Sequence, residues 1–355
     1  MYKVMIQESE YADCRRAVDR AFDVFKINPS GRKVLIKPNV LRSSRNDDGI
    51  VTHPAVLRAV VERVEEMCPA SLIVGDNPGI QGYGANEESF RSTGLMDAAK
   101  GYYRNIGTDS VILDFNPEFL PKVSVSRAVL EADLVISLPK FKTHGLTVMT
   151  GCIKNSYGIL PGALKATLHK AAGSPRRFHE MVVDVFRLRV PDFFIVDAVI
   201  GMEGNGPASP DLRHIGRILA SDNGVALDGV IARMMGLDPA RLRFLQKARE
   251  LGLGDFSEDQ TEILGRLEVI PDFKLPPLGG EAIAENPVMQ EAIGRKSKLR
   301  PSADPDVCTG CGSCAKQCPV SALSMSDGLP EVDPEACIAC FCCQEMCPEK
   351  AMALR

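Results

Sequence analysis

The sequence predicts an α/β body, a mostly parallel sheet flanked by helices, followed by a small cysteine-rich α+β module. Short apolar, β-rich runs alternate with helix-length stretches over the first 270 residues, the pattern of a layered α/β unit. A Pro- and Gly-rich stretch then interrupts that rhythm, and nine of the twelve cysteines crowd into the last 48 residues. The expected boundaries are 1–270 for the α/β domain, 271–302 for an extended linker and 303–355 for the cysteine module.

Each element has a local reason. YKVMIQ, KVLIKPN and SLIVGD are β-rich runs separated by helix-like stretches at 12–25 and 54–67, which gives βαβαβ. SVILDF, ADLVISLPK and DFFIVDAVIGM continue the series as compact apolar runs suited to a sheet covered on both faces. Further helices are expected at 87–100, 176–189, 224–235 and 239–251, and ILASDNGVALD reads as a strand, a turn and a helix start.

Composition excludes several function classes. A chain with 45% hydrophobic and 25% charged residues folds rather than staying disordered. The 42 Lys and Arg against 46 Asp and Glu leave a charge of −4, which argues against nucleic-acid binding. No apolar run approaches the roughly 18 residues of a membrane span, and the first residues lack the basic and apolar regions of a signal peptide, so a cytoplasmic protein is expected.

The cysteines carry the most specific chemistry. CTGCGSCAKQCP (308–319) and CIACFCCQEMCP (337–348) both read C-x2-C-x2-C-x3-C-P. In such a run three cysteines wrap one cluster and the fourth reaches the other. On that rule Cys308, Cys311, Cys314 and Cys347 hold one [4Fe-4S] cluster, and Cys337, Cys340, Cys343 and Cys318 hold a second. Paired zinc knuckles are the rival reading. Cys342 is left over, a packed thiol or a redox or alternative ligand. The intervening VSALSMSDGLPEVDPEA resembles the hairpin and acidic turn of bacterial two-cluster ferredoxins, which makes the module ferredoxin-like. It carries −5 and the remainder +1, which suits docking to a basic surface.

Ligands of open α/β sheets bind beyond the carboxyl ends of strands. Lys37 and Asn39 end the second strand, His53 precedes a helix, and Asp76 sits in the Gly-Asp-Asn-Pro-Gly turn after the third strand. The densest constellation is LPKFKTHGLTVMTGCIKNSYGILPGALKATLHK, where Lys140, Lys142, His144, Lys154, Lys165 and His169 stand on glycine-punctuated loops, with Asn155 beside them. Such glycines allow backbone to approach a ligand, so an anion site is expected. Lys140, Lys142, His144, Lys154 and His169 are the candidate catalytic anion clamps or proton donors, and Lys37, Asn39, His53, Asp76 and Asn155 the candidate cofactor-binding residues. DAVIGMEGNGP offers Asp197, Glu203 and Asn205 to complete the cleft. No phosphate loop and no dinucleotide fingerprint occur, so ATP or NAD binding by those routes has no support.

The phrases KPN, THP, GDNPG, LPKFKTHGLTVMTGCIKNSYGILPG and GMEGNGP resemble a family of iron-sulfur proteins carrying a domain of unknown function, often fused to bacterial-type ferredoxin modules. TGCIKNSYGILPG is similar, more loosely, to a stretch of nickel-dependent lactate racemases, and that likeness makes Lys154 the cofactor or substrate lysine. The expected function is an oxidoreductase passing single electrons through two [4Fe-4S] clusters to a small anionic substrate or cofactor in the cleft. A non-catalytic electron carrier or assembly factor, and a racemase-like enzyme with structural clusters, are the alternatives. An electron donor or acceptor protein is the expected partner, a homo-oligomer is compatible, and oxygen-labile clusters point to an anaerobic or micro-oxic setting.

Overall fold

The computed structural model describes residues 1–79, 84–276 and 300–354. The body strands are β1 (Tyr2–Glu8), β2 (Lys33–Pro38), β3 (Ser71–Val74), β4 (Ser110–Asp114), β5 (Lys122–Ser126), β6 (Leu134–Leu138), β7 (Lys140–His144), β8 (Val148–Thr150), β9 (Phe193–Met202), β10 (Leu212–Ser221) and β11 (Thr261–Leu264). Nine of them form one mixed sheet in the order β11-β1-β10-β9-β6-β2-β3, with β7 against β9 and β8 against β7. The βαβ units set β2 parallel to β3 and β6, and β6 parallel to β9. Two pairings along the spine, β1 with β10 and β10 with β9, are antiparallel, so the sheet is mostly parallel rather than purely so. The SVILDF run leaves the sheet altogether: β4 pairs only with β5, as a separate antiparallel hairpin.

The sheet is covered on both faces, and strand alternation sorts its side chains between two cores. Phe193 and Ile195 face one core with Val34, Ile36, Leu134 and Ile136, while Phe194 and Val196 face the other with Leu35 and Val135. The helix Cys14–Phe25 buries Cys14, Ala17, Val18, Ala21 and Phe22, an i, i+3, i+4 stripe that seals the first face. Pro54–Glu66 packs beside it, started by Pro54 at its first position. Pro175–Leu188 and Gly224–Met234 cover the second face. The expected helix at 87–100 is two shorter ones, Ala85–Ser92 and Leu95–Ala98, broken at Gly94 with φ 75°. The stretch at 239–251 divides likewise, into a 3-10 turn Pro239–Arg241 and the helix Arg243–Glu250.

Residues 271–276, expected within the linker, lie on the body instead: Lys274 Nζ is 3.0 Å from Asp211, and Phe273 packs edge-on against Phe141. Residues 277–299 of that linker lie outside the described residues. The module has two antiparallel pairs, β12 (Pro301–Ala303) with β15 (Met352–Leu354) and β13 (Leu323–Ser326) with β14 (Leu329–Val332). Each cysteine run bends into a short helix, Ser313–Lys316 in the first and Cys342–Glu345 in the second. The two bends differ. Gly310 and Gly312 hold φ 67° and 70°, whereas Ala339 and Phe341 adopt φ 50° and 60° at the corresponding positions. That left-handed geometry is unfavourable for residues with a Cβ, and both side chains are buried in the body core. The second run is thereby docked on the body.

Candidate functional site

The site grows from the carboxyl end of β2. Lys37 Nζ lies 2.7 Å from Asp76 Oδ1, with both groups buried, and Asp76 Oδ2 accepts the Val40 N–H at 2.8 Å. Burial lowers the Lys37 pKa, and the Asp76 charge opposes that shift. Asn39 donates to Asn155 Oδ1 at 3.1 Å, and Asn155 donates to Ser137 at 2.9 Å. Gly158 lets the next loop close over this group: a Cβ there would collide with the Asp76 carboxylate and lie 2.6 Å from Lys37 Nζ.

That loop begins with the helical turn Cys152–Asn155, whose Cys152 and Ile153 N–H groups donate to Asp228 at 2.6 and 3.0 Å. Burial raises the Asp228 carboxyl to about 6, against the pull of those two donors. The turn presents Lys154, whose ammonium sits 4.6 Å from the Tyr157 ring centroid and 5.6 Å from that of Phe178. Among the described residues Lys154 makes no ion pair. Burial lowers its pKa, while Glu345 and Cys342 favour the charged form. Lys165 follows, its ammonium donating to the carbonyls of Asn77 and Pro78, and burial brings it down to about 7.

The module closes the cleft. Glu345 Oε1 is 3.1 Å from His144 Nε2, in a buried pair. His144 Nδ1 accepts the N–H groups of Leu146 and Thr147 at 3.1 and 3.3 Å, so its proton sits on Nε2, the nitrogen nearer Glu345. Burial, with the Lys154 charge, brings His144 down to about 4. Burial works to raise Glu345, but the adjacent His144 and the charges of His169 and Lys154 hold it below the usual carboxylate range. Arg42 Nε donates to the Glu345 carbonyl at 3.2 Å, Gln344 donates to the Asn205 carbonyl at 2.5 Å, and Lys350 lies 3.3 Å from Asp48.

Between body and module remains a small cleft, lined by Asn39, Asp76, Lys154, Asn155, Lys165 and His169 from one side and by Gln317, Cys342, Glu345 and Met346 from the other. Of the residues singled out in the sequence, Asn39, Asp76, Lys154, Asn155 and His169 therefore share one wall, with Lys37 paired behind Asp76 and His144 behind Glu345. Lys140, Lys142 and His53 lie outside it. Lys140 is tied to Asp197 at 2.8 Å and Tyr11 at 3.0 Å. Lys142 donates to the Ile50 carbonyl at 2.6 Å, and His53 Nδ1 caps its helix by accepting the Ala55 N–H at 3.1 Å. Asp197 serves Lys140, and Glu203 serves Arg213 at 3.1 Å, so neither lines the cleft. Glu345 and Cys342 were not among the expected cleft residues, because nothing in a cysteine run shows which side chains leave it toward another domain.

The cysteines form two further cavities. Cys308, Cys311, Cys314 and Cys347 line one, and Cys318, Cys337, Cys340 and Cys343 the other, each set drawn from both runs. Four thiols lining one cavity suit a multi-atom cluster. Backbone donors already face the sulfurs, as in Ala322 N–H to Cys318 Sγ at 3.2 Å. Cys342 lines the interdomain cleft and neither cysteine cavity.

Comparison with known proteins agrees with this division. Residues 34–233 match the domain of unknown function DUF362, and residues 300–348 match a 4Fe-4S dicluster domain. The thylakoid-associated protein sll1697 of Synechocystis is 34% identical over 254 residues, 69% of this chain and 77% of that one. Among solved structures, the lactate racemase apoprotein of Thermoanaerobacterium thermosaccharolyticum has a TM-score of 0.43 at 13% identity, covering 66% of this chain and 57% of that one. A Thermotoga maritima protein has a TM-score of 0.41 at 12% identity, covering 69% and 60%. The chain thus spans about three fifths of the structures it resembles. No helix among the described residues is long and apolar enough to cross a membrane. On the extent of these matches, this chain belongs to the DUF362 family and carries a 4Fe-4S dicluster domain behind its family domain.

Proposed function

We propose that this protein is a cytoplasmic iron-sulfur oxidoreductase acting on a small anionic substrate or cofactor held in the cleft between body and module. Cys308, Cys311, Cys314 and Cys347 would hold one [4Fe-4S] cluster, and Cys318, Cys337, Cys340 and Cys343 the other. When bound, such clusters supply one-electron transfer. The observation that carries the reading is the position of the second cysteine run, which forms one wall of a cleft whose opposite wall presents the Lys154 ammonium, without an ion pair among the described residues. A merely soluble carrier has no need to enclose a half-buried cation beside its cysteine loop.

The chain's own groups have distinct tasks in this reading. Lys154 binds the anion, its charge little screened because the cleft is largely buried. His144, fixed in one tautomer, holds Glu345 and with it the module wall. The Lys37–Asp76 pair and the Asn39–Asn155–Ser137 chain keep the floor rigid.

Anaerobic purification followed by iron, sulfide and nickel analysis tests the clusters, and about eight iron atoms per chain are expected for two cubanes. Chemically reduced protein is then offered small carboxylates and phosphates, and reoxidation is followed optically. An anion that accelerates reoxidation in the wild type and not in Lys154→Ala of full iron content supports the proposal. Iron-free protein, or equal reoxidation of both proteins, refutes it.

A further inference from the structure

The amide chain on the cleft floor can run in one direction only. Lys37 Nζ, which can only donate, lies 3.4 Å from Asn155 Oδ1 and so fixes the orientation of that amide. Asn155 Nδ2 then donates to Ser137 at 2.9 Å, and its Oδ1 also accepts from Asn39 Nδ2 at 3.1 Å. Asn39 is thereby oriented in turn. Its Oδ1 is left as a buried acceptor with no hydrogen-bond partner among the described residues.

His169 carries a second unmatched atom. Its side chain is 5% exposed, its ring centroid lies 4.4 Å from that of Phe178, and its Nδ1 has no partner among the described residues. Phe178 also flanks Lys154 Nζ at 5.6 Å, and Asn39, His169 and Lys154 line the same wall of the cleft. Buried polar atoms left unmatched are costly and rare, so two of them beside a cation without an ion pair describe what the wall is shaped to meet. The cation calls for an anionic group. Asn39 Oδ1 calls for a hydrogen-bond donor, and a hydroxyl suits it better than an ammonium because Lys154 and Lys165 stand on the same wall. A hydroxyl both donates and accepts, so it also matches His169 Nδ1 in either tautomer.

We propose that the ligand of the cleft is a small hydroxylated acid: its carboxylate or phosphate meets Lys154, and its hydroxyl donates to Asn39 Oδ1, with His169 Nδ1 as the further polar contact. This inference rests on the cleft being the anion site, as in the proposed function, and makes Asn39 the residue that sets specificity within it.

The test uses the full chain, purified anaerobically with its iron content measured, as wild type, Asn39→Ala and Lys154→Ala. Isothermal titration calorimetry compares glycerate with propionate and glycerol 3-phosphate with propyl phosphate, so that each pair differs in hydroxyls alone and the two pairs separate carboxylate from phosphate. In the wild type the hydroxylated member of at least one pair is expected to bind about tenfold more tightly than its plain partner, and Asn39→Ala should remove most of that advantage while leaving the plain anion nearly as before. The wild-type comparison carries the test should Asn39→Ala fail to fold. Equal affinities within both pairs in the wild type, or an advantage that survives whole in Asn39→Ala, overturn the proposal. If the plain anions still lose binding in Lys154→Ala, either result leaves the anion site of the proposed function standing. Wild-type protein that binds none of the four, or binds them no better than Lys154→Ala, refutes that site and this inference with it.

Discussion

Phe341 sets two opposing effects against each other, and their sizes can be worked out. Its φ of 60° is unfavourable for a residue with a Cβ, by roughly 1–2 kcal/mol. Its ring is 2% exposed and packs in the body core, and truncating a buried Phe costs roughly 3–5 kcal/mol. Phe341→Ala loses the packing and keeps the strain. Phe341→Gly loses the packing but relieves the strain, so it should retain about 1 kcal/mol more stability than the alanine variant. The usual order, in which glycine is the worse replacement, is inverted. Urea unfolding of cluster-loaded protein under anaerobic conditions, followed by visible absorbance and far-ultraviolet circular dichroism, reads the three midpoints. They should fall as wild type, then Gly, then Ala. An alanine variant equal to or better than the glycine one would show that the bend carries no strain at Phe341, and a glycine variant equal to wild type would show that the ring does not anchor the module.

Gly158→Ala should destabilise the protein by roughly 1–3 kcal/mol and weaken anion binding, because the added methyl group meets the Asp76 carboxylate at buried backbone; thermal unfolding together with anion titration checks this, and an unchanged midpoint refutes it. Lys142 supplies a pH dependence. Burial brings it down to about 7, below its value of about 10.4 in an unfolded chain, so the unfolded state holds more protons between those values. Its penalty on the fold is complete below pH 7 and shrinks as pH rises toward 10. Any stability advantage of Lys142→Met over wild type should therefore be largest near pH 6 and decline toward pH 9, and parallel stability curves for the two proteins would contradict the assignment.

The grouping of the cysteines was legible because the spacing within each run is local, and the fourth cysteine of each run lines the cavity of the other. The β2, β3 and Gly151–Lys165 loops were legible as neighbours because open sheets gather their loops at one end. What the sequence hides is which buried cations already have partners. Lys140, Lys142 and His144 alternate along β7 and look equivalent. Register decides otherwise, setting Lys140 opposite Asp197 in β9. Lys142 meets a carbonyl of the loop before Thr52, and His144 meets the module. The reverse error befell Glu345, which reads as one more surface acid of a negative module and is 6% exposed against a histidine. The antiparallel placement of β10 and the departure of β4 from the sheet have the same origin, since apolar runs carry no direction.

The bend from Cys340 to Met346 borders both the second cysteine cavity and the interdomain cleft, so one stretch of backbone shapes two spaces. A cluster seated there as proposed would share its scaffold with the wall that Cys342, Glu345 and Met346 present to the body, and losing it would disturb both spaces together.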